Sequence, residues 1–160
     1  MAEIVSYGEL KNKIEYLRSK KKDLVVVATN GCFDILHVGH VRSLQKAKKL
    51  GDILVVGLNS DESVKKLKGS GRPVNNENAR LEVLAALEVV DFVSIFNEKT
   101  AEKFLETLKP DIYVKGKDYD LNDIPEAKLV KNYGGKVVQI PLVPEYSTTS
   151  LISKIKNNLL

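Results

Sequence analysis

Five short apolar runs constrain this chain more than any other feature: residues 24–29, 53–59, 92–96, 112–115 and 137–140. Several are nearly continuous in Val, Ile and Leu, the pattern of strands covered on both faces. Helical periodicity fills the gaps between them. Leu10, Ile14 and Leu17 keep one face behind Ser6, whose partner Glu9 completes a capping box. Val41, Leu44, Ala47 and Leu50 form a second stripe closed by Gly51, and Leu81, Leu84 and Leu87 a third. Ala101, Phe104, Leu105 and Leu108 form a fourth, stopped by Pro110, and Gly134-Gly135 ends a further helix. In the tail, Leu151, Ile152, Ile155 and Leu159 share a face and predict a docked helix. Strands alternating with helices predict an α/β fold: a Rossmann-like, doubly wound, five-stranded parallel sheet with helices on both faces. In such a sheet, ligands sit at the carboxyl ends of the strands near the topological switch point.

With 160 residues, 43% hydrophobic and 29% charged, the chain is expected to form a single domain over 1–160. Within it, residues 1–22 read as an N-terminal helical extension and 23–160 as the core. The N-terminus has no basic region followed by an apolar stretch, and no run approaches the roughly 18 apolar residues needed to cross a bilayer. The expected location is cytoplasmic, with no membrane partner. One cysteine, Cys32, excludes an internal disulfide and agrees with a reducing compartment. Net charge is +4, with basic residues gathered at 20–22, 46–49 and 65–68, and aromatics make up 6%. A nucleic-acid binder would need a denser basic stripe interleaved with aromatics, so small phosphorylated ligands are the expected partners.

Both histidines fall in His37-Val38-Gly39-His40, directly after the first strand and Thr29-Asn30-Gly31-Cys32-Phe33-Asp34. This layout reads as strand, tight turn and helix start, where α/β folds hold phosphates. Histidines three apart share a helix face, Gly39 leaves the surface between them bare, and backbone N–H groups of the helix start point the same way. The positive helix end disfavours imidazolium in the free protein, whereas an arriving polyphosphate favours it. Zinc is not expected, because with one cysteine and no third histidine a four-ligand site would need carboxylates. A lone His-x-x-His also describes a structural pair; the strand, the Asn-Gly turn and Phe-Asp before it single out chemistry on a nucleotide. Neither G-x-G-x-x-G nor G-x-x-x-x-G-K-[ST] is present, which excludes an ordinary NAD site and a P-loop.

Other loops belong to the same sheet edge. The second strand exits into Asn59-Ser60-Asp61 and then the basic, glycine-rich stretch 65–73, read either as a loop closing over phosphates or as flexible surface. The fourth exits into Lys115-Gly116-Lys117-Asp118-Tyr119, where Gly116 allows close approach to a base or ribose. The fifth leads to Tyr146-Ser147-Thr148-Thr149, whose hydroxyls serve as helix caps or as phosphate donors.

With these residues assembled, the chain resembles the cytidylyltransferase-like nucleotidyltransferases, whose signature is a strand, a G-x-F-D turn and H-x-G-H. Gly31-Cys32-Phe33-Asp34 and His37-Val38-Gly39-His40 carry it. Leu50-Gly51-Asp52, Asn59-Ser60-Asp61, Lys65-Lys66-Leu67-Lys68-Gly69, Arg72-Pro73-Val74-Asn75, Val114 to Tyr119 and Ser147-Thr148-Thr149 extend the likeness to the adenylyltransferases of ADP-heptose synthesis, over roughly residues 24–156. Related cytidylyltransferases for glycerol 3-phosphate and ethanolamine phosphate commonly carry an arginine shortly before Ser-Thr-Thr; the stretch 141–146 has none, which favours ATP over CTP.

The resemblance implies transfer of AMP from ATP to D-glycero-β-D-manno-heptose 1-phosphate, giving ADP-heptose and pyrophosphate for lipopolysaccharide or surface-glycan precursors. A separate kinase would then supply the sugar phosphate. The resemblance also implies Mg²⁺ held mainly through the nucleotide phosphates, and a homodimer. His37, His40 and Lys68 are the implied catalytic residues, the imidazoles on ATP phosphate oxygens and Lys68 on the α-phosphate and leaving pyrophosphate. Thr29, Asn30, Gly31, Cys32, Phe33, Gly116, Asp118, Ser147, Thr148 and Thr149 complete the nucleotide site. Asp34, Asn59, Asp61 and Arg80 face the acceptor, with Asp34 assigned to sugar hydroxyls and Arg80 to its phosphate; for these two a buried structural ion pair is the competing reading. The alternatives are a glycerol-3-phosphate-type cytidylyltransferase, an adenylyltransferase acting on FMN or phosphopantetheine, and a non-catalytic nucleotide-binding module.

Overall fold

The computed structural model describes residues 1–117, 124–141, 143–144 and 146–159. The elements run β1 (Glu3–Ile4), α1 (Tyr7–Lys20), β2 (Val26–Gly31), α2 (Val38–Lys48), β3 (Ile53–Asn59), α3 (Asp61–Lys68) and α4 (Glu77–Ala85). They continue through β4 (Phe92–Phe96), α5 (Glu102–Leu108), β5 (Ile112–Gly116), α6 (Pro125–Asn132), β6 (Lys136–Ile140) and α7 (Thr148–Leu159). One sheet of order β1-β4-β3-β2-β5-β6 results, and every pairing in it is parallel. From central β2 the chain winds outward through β3 and β4, then returns to β5 and β6 on the other side. The switch point therefore lies between β2 and β5.

Period-two alternation sends neighbouring residues of each strand to opposite faces. Val26 and Ala28 pack with Phe104, Leu105 and Val130 under α1, α5 and α6. Val27, Leu54 and Val56 pack with Leu44, Ala47, Leu81 and Leu84 under α2 and α4. Helices thus cover both faces, as the doubly wound reading expects.

The sheet has six strands, not five. The addition is β1, too short and too exposed to show a pattern; it pairs Glu3 with Phe92 and Ile4 with Val93. Behind it, α1 is capped by the Ser6–Glu9 box and buries Leu10 and Ile14 to 1% and 2% exposure in the same cluster as α5. The segment read as an extension is therefore built into the packing of the sheet. Another helix, α3, occupies part of the stretch read as a loop: Ser60 caps it, Asp61 and Glu62 stand in its first turn, and Lys65, Lys66 and Lys68 in its last. Those charges complement the helix dipole at both ends; only Val64 and Leu67 mark its apolar face, too short a stripe to stand out in the sequence. In α7 the expected docking is incomplete. Leu151 and Ile152 are half-buried, but Ile155 is 51% exposed, and the side chain of Leu159 lies outside the described residues.

A repeated device fixes the amino edge of the sheet. Asp52, Asp91 and Asp111, each just before a strand, accept from the backbone N–H of Val25 (2.8 Å), Leu54 (2.6 Å) and Val26 (2.8 Å) at the start of the strand alongside. Each aspartate also pairs with a cation, Lys21, Lys48 or Arg18 respectively. Among the described residues no helix is long and apolar enough to cross a membrane.

Truncating a core side chain that cannot be refilled costs about 2–5 kcal/mol. Ile14→Ala is expected to lose stability in that range in urea unfolding, because α1 closes the face over α5. A loss near zero would show α1 to be a detachable appendage.

Candidate active site

At the carboxyl edge, β2 ends in Thr29-Asn30-Gly31 and the chain turns sharply into α2. Phe33 sits in the left-handed region at φ 44°, and its ring folds back over Gly31, where a Cβ would come within 3.0 Å of it. His37 is the N-cap of α2 with extended backbone and makes no side-chain capping bond. Its ring stacks on His40 at 3.8 Å between centroids with planes 21° apart, and Phe33 lies against His40 at 5.1 Å. Gly39 is required here, since a Cβ at that position would meet the His37 ring at 2.9 Å and Tyr146 at 3.2 Å.

Nδ1 of His37 and Nδ1 of His40 are buried with no hydrogen-bond partner among the described residues. Buried polar atoms are ordinarily satisfied, so a pair of orphans beside a helix N-terminus marks a place where a ligand completes the bonding. Burial pushes His37 below the usual imidazole range. Burial, and secondarily the neighbouring His37, push His40 down to about 4. Both rings are therefore neutral at pH 7 in the free protein, and anionic oxygens arriving beside them would restore the imidazolium.

The imidazoles open on a cleft of about 580 Å³ that gathers most of the expected residues. Thr29 to Asp34, His37, Gly39, His40, Asn59, Lys68, Gly116 and Ser147 to Thr149 all line it. Two internal bonds order its floor: Thr29 Oγ1 donates to the Val114 carbonyl across the switch point (3.0 Å), and the Tyr113 hydroxyl donates to Asn30 Oδ1 (2.6 Å). Cys32 is half-buried there, and desolvation raises its thiol pKa against the lowering effect of Lys68, Arg80 and Arg72, so it is no ready nucleophile.

Two expected residues, Asp61 and Arg80, do not line the cleft, and Asp118 lies outside the described residues. Arg80 is 2% exposed and works as a staple under the site. It donates to the carbonyls of Cys32 (2.6 Å), Asn59 (2.8 Å) and Asn75 (3.0 Å), and to Asp61 Oδ1 (2.8 Å). Asp34, although on the cleft, is occupied by its own chain. Its carboxylate accepts from Val74 N (2.7 Å), Asn75 N (3.0 Å) and Arg72 Nε (2.5 Å). Burial alone would raise its pKa, but these bonds outweigh burial and hold it below the usual carboxylate range. For both residues the buried ion pair describes the arrangement seen.

Sequence reasoning missed Lys99, Ser43 and Glu126 as lining residues. Lys99 follows the carboxyl end of β4, so the rule that placed the other loops on this edge also applies to it. Glu126, on α6, carried no signal in the sequence, since its position depends on the packing of α6 against α5.

The cytidylyltransferase-like family profile matches residues 28–154. The chain belongs to that family. Curated relatives include the bifunctional protein HldE of Syntrophotalea carbinolica, 50% identical over 91% of this chain, and that of Campylobacter fetus, 54% identical over 89%. The chain spans under a third of their length, 29% and 30% respectively. Among solved structures, a lipopolysaccharide core biosynthesis protein from Thermoplasma volcanium superposes with a TM-score of 0.61 at 35% identity, over 75% of this chain and 97% of its own. A pantoate-β-alanine ligase from Francisella tularensis shares the fold alone, with a TM-score of 0.66 at 17% identity over 99% of this chain and 79% of its own.

Two measurements check the geometry. In a ¹⁵N NMR titration of the free protein, His40 is expected to gain its proton near pH 4 rather than near 6.5. Between those values the unfolded chain binds a proton that folded His40 does not, so this contribution to stability falls as pH drops from 6.5 towards 4. A His40 titrating at 6.5 or above would contradict the burial. Arg80→Ala leaves three carbonyls and a carboxylate without their donor, and is expected to cost on the order of 3 kcal/mol in urea unfolding. Unchanged stability would return Arg80 to the role of a substrate ligand.

Proposed function

We propose that this chain transfers AMP from ATP to a sugar 1-phosphate, with D-glycero-β-D-manno-heptose 1-phosphate as acceptor and ADP-heptose and pyrophosphate as products. The stacked, neutral imidazole pair at the N-terminus of α2 carries the reading. The similarity to HldE proteins and to a lipopolysaccharide core biosynthesis protein supports the acceptor. The absence of an arginine from residues 141–146 supports ATP over CTP.

A phosphate oxygen of the acceptor is already a competent nucleophile, so the protein needs neither a covalent intermediate nor a strong base. Its work is alignment and stabilisation of charge on the α-phosphate and the departing pyrophosphate. His37 and His40 hold phosphate oxygens against the α2 N-terminus, and each ring bonds better as it gains a proton. Lys68, on the last turn of α3, faces the same oxygens from across the cleft. Hydroxyls of Ser147 to Thr149 and the backbone at Gly116 receive the rest of the nucleotide.

Mg²⁺ belongs to this reading as an ion carried on the nucleotide phosphates. No group of three or more His, Cys, Asp or Glu suited to a metal occurs among the described residues, and the Asp34 carboxylate is taken by Arg72. Bound that way, the ion would supply neutralisation of charge on the leaving phosphates. Cytoplasmic location belongs to this reading as well, since nucleotide and sugar phosphate are both found there.

The deciding test is pyrophosphate release from ATP and CTP across a panel of sugar phosphates, glycerol 3-phosphate, FMN and phosphopantetheine. ATP with the heptose phosphate is expected to give the highest kcat/KM; faster turnover with CTP or another acceptor would overturn the assignment. His40→Ala is expected to lower kcat about 10²–10³-fold, the cost of one preorganised donor. Lys68→Ala should reduce kcat far more than it weakens ADP-heptose binding. Wild-type turnover in either folded variant would remove that residue from the mechanism.

A further inference from the structure

Two cations that line the cleft have no acidic partner among the described residues, and the reading above uses only one of them. Arg72 is paired with Asp34, and Lys115 lies 5.6 Å from the Tyr113 ring. Lys68 and Lys99 are both exposed and line the cleft, and neither forms an ion pair among the described residues. Lys68 sits at the end of α3, and Lys99 stands past the carboxyl end of β4, beyond Asn59. The switch-point side of the cleft, with Gly116 and the Ser147–Thr149 hydroxyls, is given to the nucleotide. What remains on the β3–β4 side is room for the second substrate.

The loop bearing Lys99 is fixed to four different helices. The Glu98 carbonyl accepts from Ser63 Oγ of α3 (2.7 Å), and Ser63 Oγ in turn accepts from Asn59 Nδ2 (2.9 Å). The Glu98 carboxylate accepts from Tyr7 of α1 (3.3 Å) and pairs with Lys103 of α5 (3.1 Å). On the far side, Ala101 N donates to Glu126 Oε1 of α6 (3.1 Å), and Glu126 is only 6% exposed. Ser63, Asn59 and Glu126 are buried polar groups, and such groups hold a loop firmly when satisfied. A surface lysine with no role beyond solubility does not need this foundation.

We propose that Lys99 binds the phosphate of the acceptor, so that each anionic substrate has its own cation: Lys68 for the nucleotide and Lys99 for the sugar phosphate. Dividing the charge in this way lets both anions occupy one cleft, where like charges would otherwise repel. The assignment rests on the transferase reading but on no particular sugar, because it concerns the phosphate alone.

The test compares wild type, Lys99→Met and Lys99→Arg in steady-state pyrophosphate release, using whichever acceptor the panel shows to be turned over. Lys99→Met is expected to raise KM for the acceptor at least tenfold while KM for ATP stays within twofold, and Lys99→Arg to recover most of the loss. Inorganic sulfate is expected to compete with the acceptor in wild type and to inhibit Lys99→Met far more weakly; a purely structural lysine would not alter that. An unchanged acceptor KM in a folded Lys99→Met, or an equal rise in both KM values, overturns the assignment and leaves the transferase reading intact. If heptose phosphate is inert but another phosphorylated acceptor works, the acceptor assignment fails, and the same variants still judge Lys99 on the working compound.

Discussion

The close approach of two imidazoles at the start of α2 is the constraint on which the rest of the site depends. It requires no side chain at position 39, where a Cβ would fall 2.9 Å from the His37 ring. It also requires a turn tight enough to bring Phe33 over Gly31 at positive φ, so that an aromatic ring backs His40. The outcome is two buried nitrogens without partners among the described residues, beside the positive end of a helix. Leaving them so costs stability, and a polyphosphate supplies the missing bonds.

The two edges of the sheet divide the work. At the amino edge, three aspartates each bind a backbone amide at the start of a neighbouring strand and a lysine or arginine. At the carboxyl edge, Arg80 performs the corresponding task beneath the surface, tying the turn after β2, the end of β3, the start of α3 and the loop at Asn75 to one guanidinium. With the scaffold satisfied from below, the imidazoles, Lys68, Lys99 and the hydroxyls of α7 are left facing the cleft. Stability and chemistry therefore draw on different residues, even where they are close in sequence.

The layered α/β architecture was legible because buried parallel strands are written as unbroken Val, Ile and Leu runs, and because the amphipathic stripes of α1, α2, α4 and α5 keep helical spacing. β1 was not legible: two exposed residues carry no period, and only tertiary pairing with β4 makes them a strand. α3 was obscured for the opposite reason, its signal lying in charges and a serine cap rather than apolar spacing. In the site, the His37 motif and the loops after β2 and β5 could be placed from sequence, since backbone geometry alone brings strand ends together. Arg80 and Asp34 show the limit of that logic. Whether a charged side chain faces a ligand or its own chain depends on which carbonyls and amides converge on it, and no local spacing encodes that. Glu126 reaches the cleft only through the packing of α6 against α5, whereas Lys99, in the loop after β4, was within reach of the strand-end rule.

The central claim is that the neutral imidazole pair is the cradle for the triphosphate. A crystal structure with a non-hydrolysable ATP analogue tests it most directly. Phosphate oxygens within hydrogen-bonding distance of both rings and of the first amides of α2, with the base and ribose on the β5 side of the switch point, are the expected result. A triphosphate seated elsewhere in the cleft, with His37 and His40 still stacked and unpartnered, would contradict it.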